Sequence, residues 1–288
     1  MEIKSIGVLG LGTMGAGIAQ TFAQGGLPVI ALEISETFIQ GGMDRIDKFL
    51  RILLRKKEIN SEDIPGILGR IRGTINPHDL KDCDLIIEAV VEDLSLKQEI
   101  YGKLDKICKH STIFASNTSS LSITEIGSAT NRLKRFVGMH FFNPVPLMKL
   151  VEIAATVLAE QEVVDAVYAC CEAVGKIPIR TQDSPGFVVN RLLVPYLNDA
   201  AKAVESKLAS IDDIDKAMVY GLGYPMGPLR LMDTIGLDVC VMVSEIMYNA
   251  FKDPKYAAPP ILKNMVKGGL YGKKSGQGFY SYGKPKRD

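Results

Sequence analysis

Short apolar runs alternate with longer amphipathic stretches through the first two-thirds of the chain. Runs at residues 3–9, 28–32, 83–90, 112–116, 136–142, 149–154 and 176–181 are five to eight residues long, rich in Ile and Val, and read as buried strands. Between them, residues 16–23, 36–57, 94–108 and 162–174 carry apolar positions at helical spacing, and a short helix follows Ser120. Strand, helix, strand in repetition predicts an α/β fold with an open, doubly wound, mostly parallel sheet and helices on both faces. In such a sheet, ligands gather at the carboxyl ends of the strands, where Glu33, residues 89–92 and 116–119, and His140 would lie.

From Pro185 the strand pattern disappears. Residues 185–197 predict a helix with Pro185 at its start, apolar on nearly every face and therefore buried all round. Further helices are expected at 211–220, 228–251 and 259–268. The chain thus divides into an α/β domain at 1–184 and an all-α domain at 185–288. A helical domain this small, opening on so apolar a helix, is expected to complete its burial against the first domain or a partner subunit.

The first strand runs into Gly10-Leu11-Gly12-Thr13-Met14-Gly15 and then a helix, the order in which a GxGxxG sequence carries meaning. In this Rossmann-like reading Gly10 permits the tight turn, Gly12 lets backbone approach a pyrophosphate, and Gly15 lets helix pack on strand. The pyrophosphate would sit on the helix N-terminus. Glu33 ends the second strand, where an acid hydrogen-bonds the adenosine ribose. It would repel a 2′-phosphate, and Ile34-Ser35-Glu36-Thr37 offers no Arg to hold one, so NAD is expected rather than NADP. The plainer role for Glu33 is a helix cap, a task open to Ser35 as well.

His140 is the one histidine of three set in an apolar run, and Glu152 lies twelve residues later in the next. Two neighbouring strands joined through Asn143-Pro144-Val145-Pro146 would make them adjacent. The carboxylate would then fix the imidazole tautomer and stabilise the imidazolium formed when the other nitrogen takes a substrate proton. From these residues alone, a core histidine paired with a core acid explains the pattern equally well. Asn190 puts an amide in the apolar helix, where it needs a partner such as a substrate oxygen. Ser119, in a small polar loop, could hydrogen-bond substrate or cap a helix. Lys48, Arg51 and Arg55 share a helix face, followed by Lys56 and Lys57, and would suit phosphates or simply meet solvent.

Composition narrows the classes. The 288 residues are 47% apolar and carry a formal net charge of +1, so the chain can bury a large core and presents no field for nucleic acid or anionic membrane. The apolar, Lys-bearing start superficially resembles a secretion signal, but its glycines fit a nucleotide loop, and no targeting or membrane-spanning segment is expected. Five cysteines with no CxxC spacing predict reduced thiols in a cytoplasmic protein, without disulfides or a zinc site.

Together, residues 10–20, 115–121, 138–146 and 185–191, with Lys274-Ser275-Gly276-Gln277-Gly278-Phe279-Tyr280 near the end, resemble the 3-hydroxyacyl-CoA dehydrogenase family, most of all its short bacterial 3-hydroxybutyryl-CoA members. The resemblance covers essentially the whole chain. It implies NAD-dependent interconversion of (S)-3-hydroxyacyl-CoA and 3-ketoacyl-CoA by a homodimer built through the helical domain. It further implies His140 as base, Glu152 as its partner, and Ser119, Asn143 and Asn190 as substrate-orienting groups. NAD contacts would come from residues 10–15, Glu33, Glu92, Lys97, Asn117, Ser119, Asn143 and Lys274, and the CoA phosphates would fall to Arg51, Arg55 and Lys56. The competing functions are a β-hydroxyacid dehydrogenase of small free acids, which would place a Lys where the base is needed, and a non-catalytic NAD-binding protein.

Overall fold

The structure, a computed structural model, describes residues 1–283; the last five residues of the expected helical domain, 284–288, lie outside the described residues. The chain forms two compact units, Met1–Ser184 and Pro185–Asp288.

The first unit contains β1 (Ile6–Leu9), α1 (Thr13–Gln24), β2 (Val29–Leu32), α2 (Glu36–Arg55), α3 (Asp63–Gly69), β3 (Ile71–Thr74), β4 (Leu85–Glu88), α4 (Leu94–Ile107), β5 (Ile113–Ser116), α5 (Ile123–Gly127), β6 (Phe136–Phe141), β7 (Leu150–Ala155), α6 (Gln161–Ala173) and β8 (Ile177–Gln182). The strands form one sheet in the order β3-β2-β1-β4-β5-β6-β7-β8. The first six are parallel; β7 is antiparallel to β6, and β8 parallel to β7. The order reverses at β1/β4: the chain leaves β1 toward β2 on one side and β4 toward β5 on the other. Right-handed crossovers consequently put α1 and α4 on opposite faces, which is the doubly wound arrangement expected. With both faces covered, β1, β4, β5 and β6 are buried at every residue.

Two elements were not foreseen, α3 and β3. Ile71-Arg72-Gly73-Thr74 has no apolar run because it is the edge strand, with Arg72 exposed to solvent.

The second unit contains α7 (Val189–Glu205), α8 (Ile211–Leu222), α9 (Pro228–Ile235), α10 (Leu237–Phe251) and α11 (Pro260–Lys267). Three expectations need correction. The first helix begins at Val189, not Pro185, because Gly186 (φ 77°) and Phe187 (φ 44°) are left-handed. It is not buried all round: Val194, Leu197, Asn198 and Ala201 form one buried face, whereas Leu192 is 71% exposed. The expected helix at 228–251 is two, broken at Gly236 with φ 106°.

Two buried aspartates tie this unit together. Asp233 accepts hydrogen bonds from the backbone N–H groups of Phe279 and Tyr280, each at 2.9 Å, and from the Tyr282 hydroxyl at 3.0 Å. Asp215 accepts from the N–H groups of Leu229 and Arg230 at 2.8 and 3.0 Å and from the Tyr280 hydroxyl at 2.9 Å. Asp233→Ala would leave three donors without their acceptor, each lost bond costing about 1–3 kcal/mol. A loss of at least about 3 kcal/mol in denaturant-unfolding free energy is expected, with residues 276–282 exchanging amide hydrogens faster than the rest of the unit.

Candidate active site

The carboxyl ends of the parallel strands carry Glu33, Glu92, Asn117, Ser119, His140 and Asn143. At the end of β1, the loop from Gly10 to Gly15 shows three separate uses of glycine. Gly10 has φ 85°. A Cβ on Gly15 would lie 1.8 Å from the Gly10 carbonyl oxygen, so helix and strand can pack only without one. A Cβ on Gly12 would meet no protein atom within 4 Å. It faces open space at the N-terminus of α1, whose first turn holds no acidic side chain. These are the conditions for a pyrophosphate: unpaired N–H groups, the positive end of a helix dipole and room for backbone approach.

Glu33, directly after β2, holds this loop. Its Oε1 accepts from the Leu11 N–H at 2.5 Å and its Oε2 from the Ile34 N–H at 3.1 Å. Ser35 caps α2, accepting from the Phe38 N–H at 3.4 Å, so the capping role considered for Glu33 is taken. Arg45 of α2, which no sequence signal distinguished, donates to the Leu11 carbonyl at 3.3 Å. Leu11 is thus gripped through both its N–H and its C=O.

At the ends of β4 and β5 lies a buried charge network. Glu88 accepts from the Lys97 ammonium at 2.6 Å, the Ser116 hydroxyl at 2.6 Å and the Val90 N–H at 2.8 Å. Lys97 and Glu88 are buried almost completely, with side chains 1% and 0% exposed, and Lys97 also meets Glu92 at 3.0 Å. Glu92 in turn accepts from the Thr118 hydroxyl, the Ser119 N–H at 3.3 Å and the Ser120 hydroxyl at 3.1 Å. Burial opposes ionisation of Glu92, but the Lys97 charge and the hydrogen bonds from Thr118, Lys97 and Ser120 outweigh it and hold the carboxyl below its ordinary range. Lys97 and Glu92 therefore shape the loop that carries Ser119. Ser122, not Ser119, caps α5. Asn117 accepts the Phe141 N–H through its Oδ1 at 2.9 Å, tying the end of β5 to that of β6.

His140 and Glu152 are directly opposite in the antiparallel β6/β7 pair. Opposed residues point to the same face, and the His140 Nδ1 lies 2.7 Å from the Glu152 Oε2. The His140 side chain is 9% exposed and that of Glu152 is fully buried. With Nδ1–H given to the carboxylate, Nε2 is the nitrogen that takes a proton. The connection between the strands, with a cis Asn143-Pro144 peptide bond, exposes Asn143.

Other candidates stand elsewhere. Arg51, 64% exposed, pairs with Asp47 at 2.7 Å on α2, and Arg55 and Lys56 are exposed nearby. Asn190 and Lys274 belong to the second unit. Asn190 is half-buried in the first turn of α7; the fully buried amide of this helix is Asn198, 1% exposed, which donates to the Tyr256 carbonyl at 3.2 Å and accepts from Ser244 at 3.3 Å. Lys274 pairs with Asp238 at 2.6 Å. All five cysteines are buried free thiols. Among the described residues no group of His, Cys, Asp or Glu is arranged to hold a metal ion, and no helix is long and apolar enough to cross a membrane.

A nucleotide cradle and an oriented histidine on one sheet edge define a Rossmann-type oxidoreductase. Residues 5–184 match the family model of the 3-hydroxyacyl-CoA dehydrogenase NAD binding domain, and residues 186–282 that of the 3-hydroxyacyl-CoA dehydrogenase C-terminal domain. The chain belongs to the 3-hydroxyacyl-CoA dehydrogenase family. It is 45% identical over 279 residues to a 3-hydroxybutyryl-CoA dehydrogenase of Clostridioides difficile, covering 97% of this chain and 99% of that one. It is 41% identical over 287 residues to the human mitochondrial hydroxyacyl-coenzyme A dehydrogenase, covering 97% and 91%. The crystal structure of (S)-3-hydroxybutyryl-CoA dehydrogenase from Ralstonia eutropha superimposes with a TM-score of 0.95 at 43% identity, covering 98% of this chain and all of that one.

Glu92→Gln tests the network. A carboxyl held below its ordinary value contributes stability that is present above its unfolded pKa and is lost as pH falls through its folded one. Glu92→Gln should accordingly unfold more easily than the wild type at pH 7, by about 1.5–3 kcal/mol for hydrogen bonds to a charged group. The gap should close as both proteins are acidified toward pH 3 in urea-unfolding titrations.

Proposed function

We propose that the protein is an NAD-dependent dehydrogenase that interconverts (S)-3-hydroxyacyl-CoA and 3-ketoacyl-CoA, with 3-hydroxybutyryl-CoA and acetoacetyl-CoA as its substrate pair. The observation that carries this reading is the buried 2.7 Å contact between His140 and Glu152, on the sheet edge that also bears the glycine cradle.

NAD, when bound, supplies the acceptor for the hydride that leaves C3 of the substrate. The Gly10–Gly15 loop would receive its pyrophosphate and Glu33 its ribose, with Glu92, Lys97, Asn117, Ser119, Asn143 and Lys274 as further contacts. His140 removes the C3 hydroxyl proton through Nε2, and Glu152 stabilises the imidazolium so formed. In the reverse direction the protonated ring returns that proton to the 3-keto oxygen. Ser119 and Asn190 donate hydrogen bonds to this oxygen as charge develops on it, while Asn143 orients the acyl chain. Arg51, Arg55 and Lys56 face the phosphates of CoA, Arg51 exchanging Asp47 for them.

Exposed apolar side chains on the helical unit, Leu192 at 71%, Tyr220 at 83% and Leu222 at 64%, support a homodimer formed through it. Five unpaired buried thiols support a reducing, cytoplasmic setting, and the substrate pair belongs to fatty-acid and butanoate metabolism.

The test is oxidation of NADH by acetoacetyl-CoA, followed at 340 nm, alongside acetoacetate as a free-acid control. Turnover with the thioester and none with the free acid is expected, with NADPH much the poorer donor because Glu33 repels its 2′-phosphate. His140→Ala should reduce kcat by roughly 10² to 10⁴, the range for removing a positioned general acid–base group. Glu152→Gln keeps shape but not charge and should lower kcat less, with NADH affinity unchanged in both variants. Full activity in His140→Ala would end the assignment of the base.

A further inference from the structure

Lys176 stands immediately before β8, is 7% exposed, and takes no part in the chemistry above. Its ammonium is held by backbone rather than by a carboxylate: Nζ donates to the Val145 carbonyl and, at 2.9 Å, to the Met148 carbonyl. Burial pulls this ammonium down to about 8, with the Cys171 thiol of α6 pulling the other way. Lys149, the other titratable group beside it on the turn, is exposed. A buried cation is expensive, and an apolar chain of the same length would fill the space at lower cost. What the charge supplies is a grip on two carbonyls of one turn.

That turn, residues 142–149, joins the strand of His140 to the strand of Glu152 and carries Asn143. Three sets of contacts confine it. The Ile177 N–H donates to the Lys149 carbonyl at 2.8 Å at its far end. Lys176 grips its middle. Val145 and Pro146 also lie on α1, where a Cβ on Gly17 would be 2.8 Å from the Val145 Cβ and 3.3 Å from the Pro146 Cδ. The turn is thus pressed onto the helix whose N-terminus forms the nucleotide cradle.

We propose that Lys176 is a positioning residue for substrate: its ammonium clamps the turn against α1, so that Asn143 keeps the place from which it orients the acyl-CoA. This rests on the acyl-CoA reading given above. Without the clamp the turn samples other positions and substrate is held less well, while the glycine cradle, anchored through Glu33 and Arg45, is untouched.

The experiment compares the wild type, Lys176→Met and Lys176→Arg in steady-state acetoacetyl-CoA reduction, NADH fluorescence titration and amide hydrogen exchange of residues 142–149. Lys176→Met should raise KM for acetoacetyl-CoA by roughly tenfold or more, since small misplacements of orienting groups carry costs of this order. Its NADH dissociation constant should rise by a smaller factor than KM, since Asn143 is one of many contacts proposed for NAD and the glycine cradle keeps its own anchors, and its turn should exchange faster while residues 6–24 do not. Lys176→Arg, which keeps a cation with several donors, should restore both KM and protection most of the way. Wild-type KM and wild-type exchange in Lys176→Met would overturn the proposal. If that variant does not fold, the pH dependence of KM decides: a rise above pH 8 in the wild type that the permanently charged Arg variant lacks supports the clamp, and parallel profiles overturn it. A wild type inactive on acetoacetyl-CoA refutes the substrate reading, and the exchange comparison, which needs no substrate, then judges the clamp by itself.

Discussion

The hydrogen bond between His140 and Glu152 exists only in one register of one antiparallel strand pair. A slip of a single residue between β6 and β7 would send one of the two side chains to the opposite face of the sheet. Where one face of a strand is wet, alternation of apolar and polar residues guards the register. Here it cannot, because all six residues of β6 are buried. Shape does that work instead. Gly138, two residues before His140 and on the same face, sits opposite Ala154. A Cβ there would come within 2.9 Å of the Ala154 Cβ and of the Ile123 Cδ1 on α5. Small opposite small is the pairing that lets α5 close over this face, and it leaves His140 and Glu152 as the next opposed pair.

The loops at this sheet edge are placed by charge. Glu33 fixes the glycine loop, Glu88 the start of the β4 loop, and Glu92 the Ser119 loop, each by accepting backbone N–H groups. Such bonds specify direction as well as distance, which apolar packing does not. The arrangement has a cost: Lys97 and Glu88 are desolvated together, and removing either would strand the other, at about 3–5 kcal/mol. Glu88 in turn holds the Val90 N–H and the Ser116 hydroxyl, so the pair ties the ends of β4 and β5 together.

How much of this could be read from residues alone depended on whether the determining contacts lay close in sequence. The strand, glycine loop and first helix were legible because their physics is local, and the pairing of His140 with Glu152 because twelve residues suffice for a strand, a turn and a strand. Glu88 was overlooked though it carried a signal: a carboxylate ending the run Leu85-Ile86-Ile87-Glu88 between two covered faces requires a cation, and Lys97 follows on the next helix. The breaks at Gly186-Phe187 and Gly236 were invisible, since apolar periodicity does not record the sign of φ. Edge strand β3 offered no run to find. Lys176, the first residue of an expected strand, became legible only when residues 145 and 148 were folded back against it.

The second unit fixes its own candidate group by the same means. Asn190 follows a left-handed Gly186-Phe187 turn, and a Cβ on Gly186 would lie 2.8 Å from the Met247 Cε of α10 and 3.3 Å from the Arg191 backbone nitrogen. Phe187 is 3% exposed despite its φ of 44°, so the turn is anchored by burial of the ring in spite of a backbone conformation that L residues avoid. The start of α7, and with it Asn190, is therefore set by packing on α10. Within each unit the polar side chains proposed for chemistry sit beside backbone that has no slack: His140 beside Gly138, Asn143 on a turn lying against Gly17, Asn190 after Gly186. A proton acceptor or an orienting amide works only if its atoms are in place before substrate arrives. Close backbone approach, made possible by the absence of a side chain at these glycines, is how this sequence meets that condition.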